Sequence, residues 1–167
     1  SSVPAGISGH KSDQMLERLD RDVLSKKPDW MTLSCGVNDV WHGAKGIPLP
    51  QYTSNITEIV TRAKAAGVRV MILTSTMIGE YQDNENNRKL AAYNAFLRQL
   101  AKEKGCPLAD LNADMQAALK AAGPARRGNQ LTTDGVHMNP FGNVMMAAGV
   151  LKAFGLSDAQ MQKARDH

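Results

Sequence analysis

Six consecutive residues, Val68-Arg69-Val70-Met71-Ile72-Leu73, form an apolar run broken only by Arg69. A strand with one solvated face alternates polar and apolar residues; a continuous run is what a strand of a parallel sheet shows when both of its faces are covered. The run is too short to span a bilayer. It is also bracketed by helical patterns. Residues 53–66 read as a helix stopped by Gly67 in the C-cap role. Arg88 to Lys104 read as another, with an apolar stripe of Leu90, Tyr93, Ala95, Phe96, Leu97 and Leu100, and Gly105 closes it.

The rest of the chain repeats this alternation. Met15, Leu16, Leu19 and Val23 mark one face of a helix over residues 11–26, which Pro28 ends. Trp30–Cys35 is a short strand closed by Gly36, and residues 43–51, with Gly43, Gly46, Pro48 and Pro50, read as a loop. Residues 77–87 read as a polar loop, Leu108 to Leu111 as a strand, and residues 112–122 as a helix stopped by Gly123. Pro140 opens a last helix reaching about Phe154, and a short polar helix follows. Helices alternating with short strands predict an open parallel sheet wrapped by helices. Such sheets carry their sites beyond the carboxyl ends of the strands.

With 167 residues, a single domain spanning 1–167 is expected, large enough to bury a core without staples. The net charge of +4 is scattered, the tight basic pairs being Lys26-Lys27 and Arg126-Arg127, and only 5% of residues are aromatic. A nucleic-acid footprint needs clustered basic residues with aromatics among them, so the charge reads as a solvated surface. Cys35 and Cys106 flank apolar runs and read as free thiols. No repeat, low-complexity tract, membrane span or secretory signal is visible, and nothing calls for a cofactor or metal.

Three short segments carry chemistry. Asp134-Gly135-Val136-His137 lies in a loop ahead of the last helix. A general base working near neutral pH is typically histidine, and it needs a partner that fixes its tautomer; a carboxylate three residues earlier in a turn reaches the same imidazole. Gly36-Val37-Asn38-Asp39 follows the first strand, where the Asn38 amide can donate to an oxyanion without carrying charge. Gly6-Ile7-Ser8-Gly9 precedes the first helix and offers backbone N–H groups to an anion. Taken alone, each is also what an ordinary turn looks like.

Taken along the chain, Gly6–Gly9 before a helix, Gly36–Asp39 after the next strand and Asp134–His137 before the last helix, the three segments resemble the SGNH hydrolases, the GDSL-like esterases and lipases. The likeness runs from Ala5 to Phe154. Lys27-Pro28-Asp29-Trp30 leading to Gly36-Val37-Asn38-Asp39-Val40-Trp41 is similar to members acting on carbohydrate esters. The resemblance implies a three-layer α/β/α sandwich with a parallel, flavodoxin-like sheet. It implies that His137 is the base, Asp134 its partner, and Gly9 and Asn38 the oxyanion-hole donors. Trp41, His42 and Tyr81, in loops after strands, are candidate substrate contacts or simple loop packing. The expected partner is a small-molecule or carbohydrate ester, with no nucleic acid and no membrane span.

The family's nucleophile motif, Gly-Asp-Ser after the first strand, does not occur in this sequence. Ser8 stands beside Gly9, where the family often has a supporting serine; Ser34 is mid-strand; Ser75 lacks the sharp Gly-flanked turn that exposes a nucleophile; and Ser157 has no strand before it. The expectation is an N-terminally incomplete domain without its first strand, the missing piece being on the order of 30 or more residues. Two rivals remain. One is a binding module that keeps the fold without catalysis. The other is a metal-dependent phosphoesterase built on Asp39-x-x-His42 and Asp134-x-x-His137.

Overall fold

A computed structural model of the protein describes residues 1–4, 10–123 and 128–155. Four strands, β1 (Ser2–Pro4), β2 (Trp30–Ser34), β3 (Arg69–Leu73) and β4 (Leu108–Ala109), pair in parallel in the order β1-β2-β3-β4. Met31 stands beside Val3 and Val70, and Ile72 beside Leu108. The helices are α1 (Ser12–Glu17), α2 (Leu19–Asp22), α3 (Val37–Trp41), α4 (Leu49–Ala65), α5 (Glu85–Lys104), α6 (Leu111–Ala122) and α7 (Pro140–Ala153). Single turns of 3-10 helix at Leu24–Lys26 and Gly43–Lys45 join them.

The sequence pattern opened the order at a helix; the structure adds the short strand β1 ahead of it. The helix expected over 11–26 is broken at Arg18 and Val23. Its buried residues Met15, Leu19 and Val23 are four apart. On one ideal helix each such step drifts by about 40°. The two breaks let all three side chains reach the same core. The loop expected over 43–51 is shorter, because α4 starts at Leu49. Pro50 lies in its first turn, where a missing N–H leaves no bond unmade. Helix α5 starts at Glu85 rather than Arg88, since the Asn84 side chain accepts the Asn87 N–H at 2.8 Å. The strand expected to reach Leu111 stops at Ala109, where Asp110 turns to cap α6 by accepting the Ala113 N–H.

Parallel strands joined in consecutive order by right-handed crossovers send their connecting helices to one face. That face holds the main core: Met15, Leu19, Met31, Leu33, Ile56, Ile59, Val70, Ile72, Leu90 and Leu97 are all buried there. The opposite face is covered by α7, where Met71, Leu73 and Ala109 meet Met146, Val150 and Ala153. This makes three layers, with the third one partial. Beside β2 that face thins out: Trp30 and Thr32 are half-buried and Ser34 is exposed. The Trp30 ring meets Phe154 edge-on at 5.1 Å, and the Arg69 guanidinium lies 4.6 Å above it. Helix α7 is apolar nearly all round, yet Phe141 is 75% and Val144 53% exposed. A helix of that composition is normally buried on every side.

The thiols of Cys35 and Cys106 are free, the first buried and the second half-buried. No helix among the described residues is long and apolar enough to cross a membrane.

Candidate active site

Strand β2 ends at Ser34, and the chain turns sharply through Cys35 and Gly36 into α3. Gly36 has φ +147°, and a Cβ there would lie 2.3 Å from the Ser75 Oγ. Only glycine fits both the backbone and the space. The Cys35 carbonyl accepts hydrogen bonds from the Tyr52 hydroxyl at 2.6 Å and the Ser75 hydroxyl at 3.1 Å. Ser75 is therefore buried and committed to holding this turn.

The turn presents Asn38, half-buried, whose Nδ2 donates to the His10 carbonyl at 3.4 Å. His10 adjoins Gly9 in sequence; Gly9 itself lies outside the described residues, as do Ser8 and the helix expected after Phe154. Asp39 beneath is fully buried. Its carboxylate accepts the Ser12 N–H and hydroxyl and the Cys35 thiol, and Asn55 in turn donates to the Ser12 hydroxyl at 3.1 Å. Burial, and then the Asp39 carboxylate, push the Cys35 thiol well up, so it stays a protonated donor. This network ties the start of α1 to the turn that carries Asn38.

Asp134 and His137 lie in the tight loop ahead of α7. Asp134 Oδ2 is 2.6 Å from His137 Nδ1, and Asp134 Oδ1 accepts the backbone N–H groups of Val136 and His137 at 2.9 and 2.7 Å. The His137 side-chain hydrogen bond, followed by the two backbone bonds, holds the Asp134 carboxyl well below the usual carboxylate range. Asp134 is thus an acceptor at neutral pH, so the proton of the pair sits on Nδ1. In the neutral form of the ring this leaves Nε2 as the lone-pair nitrogen. His137 and Asp134 are 61% and 49% exposed, so the pair adds little to stability and is open to reactants.

The loop is closed by a bridge between Thr132 and Met138, and the Asn139 side chain caps α7 on the Gly142 N–H at 2.9 Å. Gly135 has φ +92° and packs directly on Gly79, whose N–H donates to the Gly135 carbonyl at 2.7 Å. Behind the loop the buried Glu80 carboxylate accepts the N–H groups of Gln130, Leu131 and Thr132. The sequence reading did not single out Glu80. Its place just after Gly79, in a loop following a strand, is the only local hint.

Trp41 is exposed and stacks on His42, ring centroids 6.0 Å apart. Tyr81 is exposed and lines a 710 Å³ cavity with Gln82, Asp83, Gln116, Lys120 and Asn129. Among the described residues no hydrogen bond, ion pair or ring contact joins these three side chains to Asp134 or His137. The Asp39-x-x-His42 spacing makes no joint site, because Asp39 points to Ser12 and Cys35 while the His42 ring lies on Trp41. Among the described residues no serine hydroxyl bonds to His137, and no three His, Cys, Asp or Glu side chains gather as metal ligands.

Comparison with known proteins bears on this geometry. The acetylxylan esterase of Geobacillus stearothermophilus is 27% identical over 160 residues, covering 92% of this chain and 71% of that protein. The isoamyl acetate-hydrolyzing esterase of Saccharomyces cerevisiae is 28% identical, covering 88% of this chain and 66% of its own length. The crystal structure of the acetyl xylan esterase AlAXEase superposes with a TM-score of 0.83 at 32% identity, over 89% of this chain and 78% of that one. The model of the GDSL-like Lipase/Acylhydrolase family matches residues 1–144. The chain therefore belongs to the GDSL-like lipase/acylhydrolase family, the SGNH group of carboxylic ester hydrolases.

Proposed function

We propose that this chain carries the acid–base half of a serine esterase acting on acetyl esters of carbohydrates. The observation that supports it most is the Asp134–His137 pair, with Nδ1 2.6 Å from the carboxylate and the imidazole side chain 61% exposed. In this reading a serine attacks the ester carbonyl while His137 Nε2 takes its proton. His137 then returns that proton to the leaving alcohol, and the resulting acyl-enzyme is hydrolysed by water through the same residue. Asp134 holds the tautomer and stabilises the imidazolium. The Asn38 amide and the Gly9 N–H bind the oxyanion, and Trp41, His42 and Tyr81 contact the substrate.

The serine in this reading lies on a strand-and-helix segment preceding Ser1, within one domain that residues 1–167 do not complete. Two features support that assignment. The sheet face beside β2 is partly open, although parallel sheets are normally covered on both faces. Helix α7 in turn exposes Phe141 and Val144. The acetyl preference is supported by the acetylxylan esterases among the relatives.

The test is to express the chain with its upstream coding sequence and assay nitrophenyl acetate, butyrate and longer esters, followed by acetylated xylo-oligosaccharides. A serine-reactive phosphonate is then applied and the labelled residue mapped. Fastest turnover of acetate with the label on an upstream serine is expected. Loss of activity on chelation, or absence of any labelled serine, overturns the reading.

A further inference from the structure

We propose that Glu80 is a positioning residue for the Asp134–His137 pair, acting as the buried post on which the loop carrying both side chains is built. The inference rests on the assignment of His137 as the general base.

Glu80 is 5% exposed. Among the described residues its carboxylate receives four donors, all from one short stretch of chain. Gln130 N–H donates to Oε1 at 2.7 Å, Leu131 N–H to Oε2 at 3.2 Å, Thr132 N–H to Oε2 at 2.9 Å, and the Thr132 hydroxyl also donates to Oε2. These bonds order residues 130–132, the strand-like entry to the loop. The Thr132 hydroxyl oxygen then accepts the Gly135 N–H at 2.9 Å. Gly135 stands between Asp134 and Val136, whose N–H is held by Asp134 Oδ1. A continuous line of hydrogen bonds therefore runs from the Glu80 carboxylate through Thr132 to the middle of the Asp-x-x-His turn. From the other side, the residue before Glu80 reaches the same place, since Gly79 N–H donates to the Gly135 carbonyl. Residues 79–80 thus grip the turn at both of Gly135's polar groups.

A carboxylate suits this task better than an amide. Four donors converge on two oxygens, and each oxygen has two lone pairs. Glutamine offers one oxygen and one NH2, so at least one N–H would face another donor in a buried place. Asp134 and His137 are 49% and 61% exposed, and what holds them is the turn's own hydrogen bonds. The pairing distance and the imidazole tautomer therefore depend on the backbone of the turn, and that backbone depends on Glu80.

The test is an NMR measurement on the protein with its upstream segment, and it needs no turnover. The nitrogens of the neutral His137 imidazole report the tautomer, and amide exchange reports the loop. In the wild type Nδ1 carries the proton. In Glu80→Gln the population shifts toward the Nε2–H form that free imidazole side chains prefer. Exchange at Gly135, Val136 and His137 quickens about tenfold or more, while β3 and α5 amides keep their protection. Thr132→Val cuts the link to Gly135 but leaves Glu80 its backbone donors, and it serves if Glu80→Gln fails to fold; the same tautomer shift is expected. Unchanged imidazole shifts in the variant that folds, or faster exchange spread evenly over β3 and α5, overturn the proposal. In the ester-hydrolysing protein, Glu80→Gln is expected to lower kcat about tenfold with KM unchanged. Hydrolysis that survives His137→Ala would instead remove the serine-esterase reading, while the NMR result still decides the role of Glu80.

Discussion

The Asp134 carboxylate engages His137 twice: Oδ2 meets the ring Nδ1 at 2.6 Å, and Oδ1 accepts the backbone N–H of the same residue at 2.7 Å. One side chain thus sets both the turn and the orientation of the imidazole that the turn presents. Removing its charge while keeping its shape separates the two effects. Asp134→Asn can still cap the turn, but its amide no longer accepts from Nδ1 through a carboxylate oxygen. We expect kcat to fall by about 10²–10⁴-fold with KM nearly unchanged, measured by steady-state hydrolysis of nitrophenyl acetate. Near-wild-type kcat would mean that Asp134 serves the turn alone.

Asn38 is expected to act on the oxyanion and not on the ground-state ester. Loss of one such donor typically raises the barrier by about 3–4 kcal/mol. Asn38→Ala should lower kcat by roughly a hundredfold or more with little change in KM. Wild-type turnover in that variant takes Asn38 out of the mechanism.

Stability at acid pH should depend on Glu80. Desolvation works to raise its carboxyl, but the hydrogen bonds from Thr132 and from the Gln130, Leu131 and Thr132 N–H groups outweigh it, so its folded value lies below the ordinary one of 4.5. A group lowered on folding contributes stability that is fully present above its unfolded value and is lost as pH falls through its folded value. Loop amides at 130–137 should therefore lose protection below about pH 4.5, before the β3 amides do. Hydrogen exchange between pH 7 and pH 3 measures this, and Glu80→Gln should flatten the profile.

Gly36→Ala should be strongly destabilising. The added methyl would sit 2.3 Å from Ser75 Oγ, on a backbone with φ +147°. Backbone strain and overpacking together should cost about 2–4 kcal/mol, read from urea unfolding. Ser75→Ala relieves the clash but not the dihedral, so Gly36→Ala with Ser75→Ala should recover only part of the loss. Full recovery would show that space alone requires glycine here.

Much of this protein can be read from its sequence because the signals are local. The run Val68–Leu73, the stripe from Leu90 to Leu100 and the punctuation at Gly67, Gly105 and Pro140 depend on neighbours within a turn or two, and all name elements that form. The Asp134–His137 pair is equally local, three residues apart within one turn. The early starts of α4 and α5 and the breaks in the first helix were missed because capping and core contacts, not periodicity, set those ends. Only the tertiary structure decides that Ser75 is spent on the Cys35 carbonyl, across 40 residues. It also decides that Asp39 belongs to Ser12 rather than to His42, and that Glu80 lies under residues 130–132, some 50 positions away. A buried polar group must find its partners wherever packing brings donors to it, and that choice is made by the whole fold, not by the spacing of residues along the chain.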